Sequence, residues 1–162
     1  SDCYCNGKKN KNISTLIIYF FLILFYSSFS LANENFIFLS LKNNKVNLRQ
    51  GPSFDYPIKL IYKKQHLPVI VLDKYDTWKK IKDFENNSGW IHVSQLSKKR
   101  TAINYKNNSI LFKKPSIYSK PIIRLESGRL VLVNKCKLEW CKITSGNFNG
   151  WINKSSLWGN VK

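Results

Sequence analysis

Two cysteines late in the sequence, Cys136 and Cys141, are the residues whose spacing suggests the most definite chemistry. They bracket residues 137–140 as C-x4-C, and neither histidine of the chain lies near them. This is a poor spacing for zinc, and it is not the C-x-x-C of redox sites, so both alternatives are weak. In an exported chain, an even pair on a short hairpin is typical of a disulfide. We therefore predict a structural Cys136–Cys141 disulfide.

The other residues capable of catalysis or metal binding are scattered. His66 and His92 have no paired serine or cysteine, and His92 is predicted to be a surface strand residue. Asp73, Asp76 and Asp83 flank a predicted hairpin, where aspartate normally serves turns. The sequence also lacks a glycine-rich phosphate loop and a cluster of metal ligands. We therefore predict that the protein is not an enzyme and binds no metal or cofactor.

The N-terminal segment has the organisation of a secretory signal peptide. Lys8, Lys9 and Lys11 precede an apolar run at 16–26, and small residues follow it up to Ala32. The run is shorter than the about 20 residues that a membrane span needs. We expect residues 1–32 to be removed by cleavage after Ala32, leaving a periplasmic or secreted protein without a stable membrane span. The alternative is a chain anchored by its uncleaved leader.

The rest of the sequence is strongly basic. Residues 33–162 carry 24 basic and 8 acidic residues, a net charge of +16. Such a charge favours an anionic partner, namely an envelope polymer, a lipid headgroup or a nucleic acid, although a compositional bias towards Lys, Asn and Ile gives the same excess. Export and the absence of nucleic-acid-binding motifs argue against a nucleic-acid partner.

A repeat divides this basic segment into two units. GWIHVSQLS at 89–97 returns as GWINKSSLW at 150–158, and Trp78 corresponds to Trp140. The offset falls from 64 residues early in the repeat to 61 late in it, as small loop deletions would produce. Two copies are too few for a solenoid, so we predict two small domains of about 60 residues each.

Each unit has the pattern of short β-strands separated by turn residues. Runs at 39–41, 46–48, 69–72, 77–82 and 89–91 alternate or are rich in β-branched residues, and no helical period is sustained.

Alternation also assigns faces to the side chains. It places Ile81 towards the core and Trp78 on the other face or at the end of the strand, where we interpret it as a lid on a small core. The glycine before each repeated tryptophan, Gly89 or Gly150, is expected to allow a tight turn or a positive φ. Ser94–Leu96 is predicted to form a single 3₁₀ turn.

One motif resembles a known family. VNLRQGPSFDYPI at 46–58 resembles the N-x-R-x-G-P…Y-P signature of bacterial SH3 domains of the SH3b type. With DTWKKI at 76–81, GWIHVSQLS at 89–97 and CKLEWCKI at 136–143, the chain is similar to the exported tandem SH3-like proteins of alphaproteobacteria. The resemblance covers about residues 36–161.

The resemblance implies an all-β fold of two tandem SH3-like small β-barrels, at 36–98 and 101–159, after the N-terminal signal peptide. It also implies a non-catalytic binding module for cell-wall peptidoglycan or its peptides. The alternative is a periplasmic protein–protein adaptor of the SH3 type, whose partner is an envelope protein. The candidate ligand-binding residues are Asn47, Arg49, Tyr56, Trp78 and Trp90.

The second copy has lost the loop signature. At an offset of 64, its positions corresponding to Asn47, Arg49, Gly51 and Tyr56 are Leu111, Lys113, Pro115 and Lys120. We therefore expect ligand recognition in the first domain.

Overall fold

The computed structural model describes residues Phe36–Lys162, and these form one compact unit. The predicted signal peptide, its apolar run and the cleavage after Ala32 lie outside the described residues. Within the described residues, no helix is long and apolar enough to cross a membrane.

The first half forms a seven-stranded antiparallel sheet. Its strands follow the chain order β1 to β7, and they lie in the spatial order β3-β2-β6-β5-β4-β1-β7. A single 3₁₀ turn at Val93–Gln95 separates the last two strands. The strands are β1 Ile37–Leu41, β2 Val46–Arg49, β3 Ile58–Tyr62, β4 Pro68–Tyr75, β5 Trp78–Lys82, β6 Ser88–His92 and β7 Leu96–Ser97.

The second half repeats this topology strand for strand. Its spatial order is β10-β9-β13-β12-β11-β8-β14, and a 3₁₀ turn at Lys154–Ser156 takes the equivalent place. Its strands are β8 Thr101–Asn104, β9 Ser109–Phe112, β10 Pro121–Leu125, β11 Arg129–Lys137, β12 Trp140–Ser145, β13 Phe148–Asn153 and β14 Leu157–Gly159. We call the halves unit one and unit two.

The all-β class and the two tandem units are confirmed. The hydrogen bonding leaves both sheets open, because the end strands of each sheet, β3 and β7 or β10 and β14, are not paired with each other. The closed barrel that the resemblance implies is therefore not what the strand pairing shows.

Each unit has its own hydrophobic core, formed by the alternate side chains that face inward. Both cores lie entirely within residues 36–162, so we expect this part of the chain to fold on its own. The core of unit one contains Leu41, Val46, Leu48, Tyr62, Val69, Ile81, Ile91 and Leu96. The core of unit two contains Ala102, Leu111, Leu125, Val131, Val133, Cys141, Ile143, Ile152 and Leu157.

The two units meet through aromatic side chains. The ring of Trp158, from the last strand of unit two, lies edge-on to Phe38 at 5.2 Å and to Phe84 at 5.4 Å between centroids. A connection of three residues, 98–100, joins β7 to β8, so the units are held side by side.

The strand registers correct the predicted match between the units. Arg49 pairs with Trp90, whereas Phe112 pairs with Trp151. Gln50 N–H donates to the Pro57 carbonyl just as Lys113 N–H donates to the Lys120 carbonyl. The offset in this region is therefore 63 residues, because the deletions lie further along the chain. The equivalents of Asn47, Arg49, Gly51 and Tyr56 are Ile110, Phe112, Lys114 and Ser119.

The glycine before each repeated tryptophan is required for close packing. Neither Gly89 nor Gly150 has a positive φ, so that expectation was wrong. A Cβ atom on Gly89 would lie 2.6 Å from the Arg49 carbonyl oxygen, and one on Gly150 would lie 2.7 Å from that of Phe112. Because the obstacle is backbone, only glycine lets β6 approach β2, and β13 approach β9.

Candidate functional site

The outer face of the β2–β6–β5 sheet brings the predicted site residues together. Ile81 and Ile91 face the core, so alternation places their neighbours on the opposite face. Across the three strands, Arg49 is paired with Trp90, and Trp90 is paired with Lys80. A row of cation, indole and cation therefore crosses the outer face, and we call it the Trp90 row.

A shallow groove lies along this row. Its volume is about 300 Å³, and Trp90 is half-buried in its wall. The Lys59 Nζ donates to the Ser88 carbonyl at 3.0 Å, which holds that lysine against the groove. The lining residues are Gln50, Lys59, Lys80, Ser88, Gly89 and Trp90.

Arg49 braces the loop that carries the family-like signature. Its Nη1 donates to the carbonyl oxygens of Phe54 at 2.9 Å and of Tyr56 at 2.7 Å. The guanidinium also lies 5.6 Å from the centre of the Phe54 ring. The Tyr56 ring lies over Gly51, where a Cβ atom would approach that ring to 2.6 Å. Loop 50–57 is thus folded back onto the sheet beside the groove.

Trp78 lies beneath this loop. It is only 6 % exposed, and its ring is 4.9 Å from that of Phe54 and 5.3 Å from that of His92. Alternation predicted that Trp78 lies on the face opposite Ile81, and its pairing with His92 agrees. On that face Phe54 covers the side chain. Trp78 offers almost no surface to a ligand and instead supports the loop.

His92 is also more than a surface strand residue. Its Nδ1 accepts a hydrogen bond from the Ser94 N–H at 3.3 Å and caps the 3₁₀ turn, while its ring packs against Trp78. The equivalent Asn153 accepts from the Ser155 N–H at 2.9 Å in unit two.

Asn47 lies near the other end of β2. Its side chain is half-buried, and its Oδ1 is buried without a hydrogen-bond partner. The residue is paired with Ile61 of the edge strand β3, away from Trp78. Of the five predicted ligand residues, Arg49 and Trp90 share the row, Tyr56 flanks it, Trp78 lies beneath the loop, and Asn47 stands apart.

Sequence reasoning missed Lys80, Lys59, Gln50 and Phe54. Phe54 lies inside the quoted signature, and Lys80 lies two residues beyond Trp78 on the same strand face. The alternation of side chains along β5 was thus enough to predict that Lys80 lies on the same face as Trp78. Lys59 reaches the groove from β3, which is distant in sequence from β6, and no local sequence pattern reveals such a contact.

Unit two builds the same row from different residues. Its row runs from Phe112 to Trp151 and then to Lys142 and Lys135. The Phe112 ring meets that of Trp140 at 5.8 Å, and the Lys135 Nζ lies 5.9 Å from the centre of the Trp151 ring. An aromatic residue replaces Arg49, and a lysine lies against the face of the indole. The two rows are therefore chemically different.

A larger cleft of about 650 Å³ lies at the junction of the units. In its wall, the buried Tyr62 hydroxyl donates to the Asp83 carboxylate at 2.9 Å. Burial, and then the charge of Asp83, raises the pKa of Tyr62 above its ordinary value. Asp83 also accepts from the backbone and side-chain amides of Asn87, so its oxygens are occupied by the turn that we expected it to serve. Exposed parts of Ile61 and Phe84 provide apolar surface.

The predicted disulfide is confirmed. Cys136 and Cys141 are directly paired across the β11–β12 hairpin with an S–S distance of 2.01 Å. Within residues 36–162, no three or more His, Cys, Asp or Glu side chains come together as a metal site would require.

Comparison with known proteins agrees with the duplicated fold. A family model described as the bacterial SH3 domain matches residues 42–98 and again residues 105–159. The chain belongs to the bacterial SH3 domain family. The first matched segment contains the Trp90 row, and the second contains the corresponding row of unit two.

Other comparisons yield only distant likenesses for this bacterial SH3 protein. No curated protein matches it. A structure of NlpC2 from Trichomonas vaginalis is 13% identical over 78% of this chain and 49% of that one, with a TM-score of 0.35. A structure of NlpC1 from the same organism is 13% identical over 79% of this chain and 47% of that one, also with a TM-score of 0.35. This chain spans about half the length of those two proteins, and a likeness of this size carries no functional argument.

Proposed function

We propose that this protein is an exported, non-catalytic module that binds cell-wall peptidoglycan or its peptides through the Trp90 row of unit one. The observation that carries the proposal is the placement of Trp90 between two cations in an open groove. Membership of the bacterial SH3 domain family supports a binding role.

The chemistry of the row suits this polymer. Peptidoglycan presents sugar rings next to peptides that carry carboxylates. The half-exposed indole of Trp90 offers a flat apolar surface to a ring, and flat rigid side chains give large contacts at low entropic cost. Lys80 and the free edge of the Arg49 guanidinium lie on either side of it and attract a carboxylate.

Binding to purified sacculi tests the proposal. Residues 36–162 should sediment with sacculi, and Trp90→Ala should weaken that binding by at least about tenfold, the cost of losing a central aromatic contact. Trp151→Ala removes the equivalent indole of unit two and is the matched control, which should leave binding unchanged. Both variants are checked for folding by circular dichroism.

Three results would contradict the proposal. The first is a wild-type protein that stays in the supernatant at low salt. The second is an equal loss of binding in both tryptophan variants, which would mean that the Trp90 row is not the specific site. The third is binding that salt abolishes and that Trp90→Ala spares, which would mean that the net charge, and not the row, is responsible.

The second candidate function is a protein–protein adaptor, and the junction cleft favours it. Among the described strands, the edge strand β3 has a partner on one side only, and it borders the cleft through Ile61. An extended segment of an envelope protein can add to such an edge. Crosslinking in cells, with a photoreactive residue in place of Ile61, should then capture one protein, and sacculi should not bind.

A further inference from the structure

One end of unit two differs from the same end of unit one. We define the unit-two tip as the loop 113–120, residues 137–139 at the β11–β12 turn, and Lys154 at the start of the 3₁₀ turn. Phe112 precedes the loop and contacts Trp140, which follows the turn. The Lys154 N–H donates to the Glu139 carbonyl at 2.7 Å, so the start of the 3₁₀ turn also lies there. The loop, the turn and Lys154 therefore belong to one end of the unit.

The tip presents apolar side chains that nothing in the described structure covers. Tyr118 is 92 % exposed, Leu138 is 91 % exposed and Ile117 is 64 % exposed. At the offsets that strand pairing fixes, the equivalents of Tyr118 and Leu138 in unit one are Asp55 and Asp76. Where unit one has two acidic residues, unit two therefore has two of the most exposed apolar residues in the described part of the chain.

Leu138 is placed against the preference of its backbone. Its φ is +48°, and that of the equivalent Asp76 is +47°. Left-handed positions favour Gly, Asn or Asp and disfavour Leu. The turn itself therefore gives no reason for a leucine, and its 91 % exposure leaves no packing reason among residues 36–162. We therefore look for an interaction of this side chain beyond the described residues.

Positive charge surrounds these side chains. Five tip residues are lysines where unit one has neutral residues, and Glu139 adds one acid. Conversely, unit one has the lysines Lys74 and Lys79 at the hairpin positions where unit two has the disulfide cysteines. The tip lysines Lys113, Lys114, Lys120, Lys137 and Lys154 stand where unit one has Gln50, Gly51, Pro57, Tyr75 and Val93.

We propose that the unit-two tip binds the surface of a bilayer that contains anionic phospholipids. Tyr118 and Leu138 enter the interfacial layer, and the lysines contact the phosphate groups. A bilayer fits better than a folded protein because the apolar side chains stand singly on two adjacent turns. The shallow depression of about 350 Å³ beside Tyr118 is otherwise lined by lysines and serines, so it offers no apolar groove. Tyrosine is favoured at the depth of the headgroups, and exposed lysines are attracted to anionic lipid.

Vesicle sedimentation tests this inference with residues 36–162, which omit the apolar run at 16–26. Wild-type protein should sediment with vesicles of phosphatidylcholine mixed with phosphatidylglycerol, and poorly with phosphatidylcholine alone. Tyr118→Asn with Leu138→Asn keeps the net charge and suits the left-handed turn. This double variant should lower the partition coefficient by at least about tenfold.

A matched control removes apolar surface from unit one. Ile37 and Tyr75 are 64 % and 63 % exposed, so Ile37→Asn with Tyr75→Asn is a comparable double change. It should bind vesicles as the wild type does. Tyr118→Phe keeps an apolar ring and should also bind, which provides a second result if the double variant is unstable.

Three results would overturn the inference. The first is wild-type protein that does not sediment with the anionic vesicles. The second is equal binding by the tip variant and the wild type, which would mean that charge acts alone. The third is an equal loss in the control. Sacculus binding plays no part in this assay, so the inference and the proposed wall binding can fail separately.

Discussion

Replacing Arg49 tests whether this residue braces the loop in addition to attracting a ligand carboxylate. Its Nη1 makes two hydrogen bonds to loop carbonyls, at 2.9 and 2.7 Å. Buried bonds from a charged donor contribute about 1.5–3 kcal/mol each, but this pair is exposed to water. We therefore expect Arg49→Met, which keeps an apolar stem, to lower the free energy of unfolding by about 1–2 kcal/mol.

Urea denaturation measures this change. For a small domain, a loss of that size lowers the midpoint by roughly 0.5–1 M. Freed from Arg49, loop 50–57 should move away from Trp78, so acrylamide should quench tryptophan fluorescence more strongly and proteases should cut the loop faster. Arg124→Met removes an exposed arginine from unit two and is the control, expected to change neither stability nor quenching.

Unchanged stability together with unchanged quenching would refute the bracing role of Arg49. If such a variant also lost sacculus binding, the guanidinium would act only through its contact with the ligand.

Three further predictions concern stability. Gly89→Ala should lower the free energy of unfolding by about 2–3 kcal/mol, as should Gly150→Ala, because the added Cβ meets backbone; urea midpoints close to wild type would contradict this. Replacing Cys136 and Cys141 by alanine should lower the free energy of unfolding by about 2 kcal/mol in the same assay, and an unchanged value would mean that the disulfide does not stabilise the hairpin. Burial, with nearby Lys99, holds the pKa of His66 below its usual 6.5, so its contribution to stability is present above about pH 6.5 and is lost as the pH falls through its folded value. His66→Asn, which suits the positive φ there, should make the thermal midpoint depend less on pH between pH 7 and 5. An unchanged dependence of the midpoint on pH would exclude this contribution.

Local patterns were enough to predict the strands and the disulfide. Alternation in TWKKIK placed Ile81 in the core, and it is fully buried there. The spacing of Cys136 and Cys141 predicted direct pairing on a hairpin, and the strand register has them opposite each other. Both features depend on neighbours close in sequence, which explains why the sequence alone was informative.

The cover over Trp78 could not be predicted in the same way. Alternation assigns a side chain to a face but does not say what lies on that face. Phe54 reaches Trp78 because Arg49 folds the loop back through its carbonyl oxygens, a contact between side chain and backbone that leaves no periodic signal. An alignment by residue identity gave an offset of 64, whereas strand pairing gives 63, because matching residue types need not occupy equivalent positions of the sheet.

The disulfide has a physical role that the comparison of the units makes specific. In unit one the turn residue Asp76 suits its left-handed backbone, and Lys74 and Lys79 occupy the positions of the cysteines. In unit two Leu138 occupies the same backbone conformation, at a cost of roughly 1 kcal/mol or more. A disulfide closing so short a loop contributes about 2 kcal/mol, enough to offset that cost. The disulfide thus stabilises the hairpin that carries the exposed Leu138, and it holds that side chain at the unit-two tip.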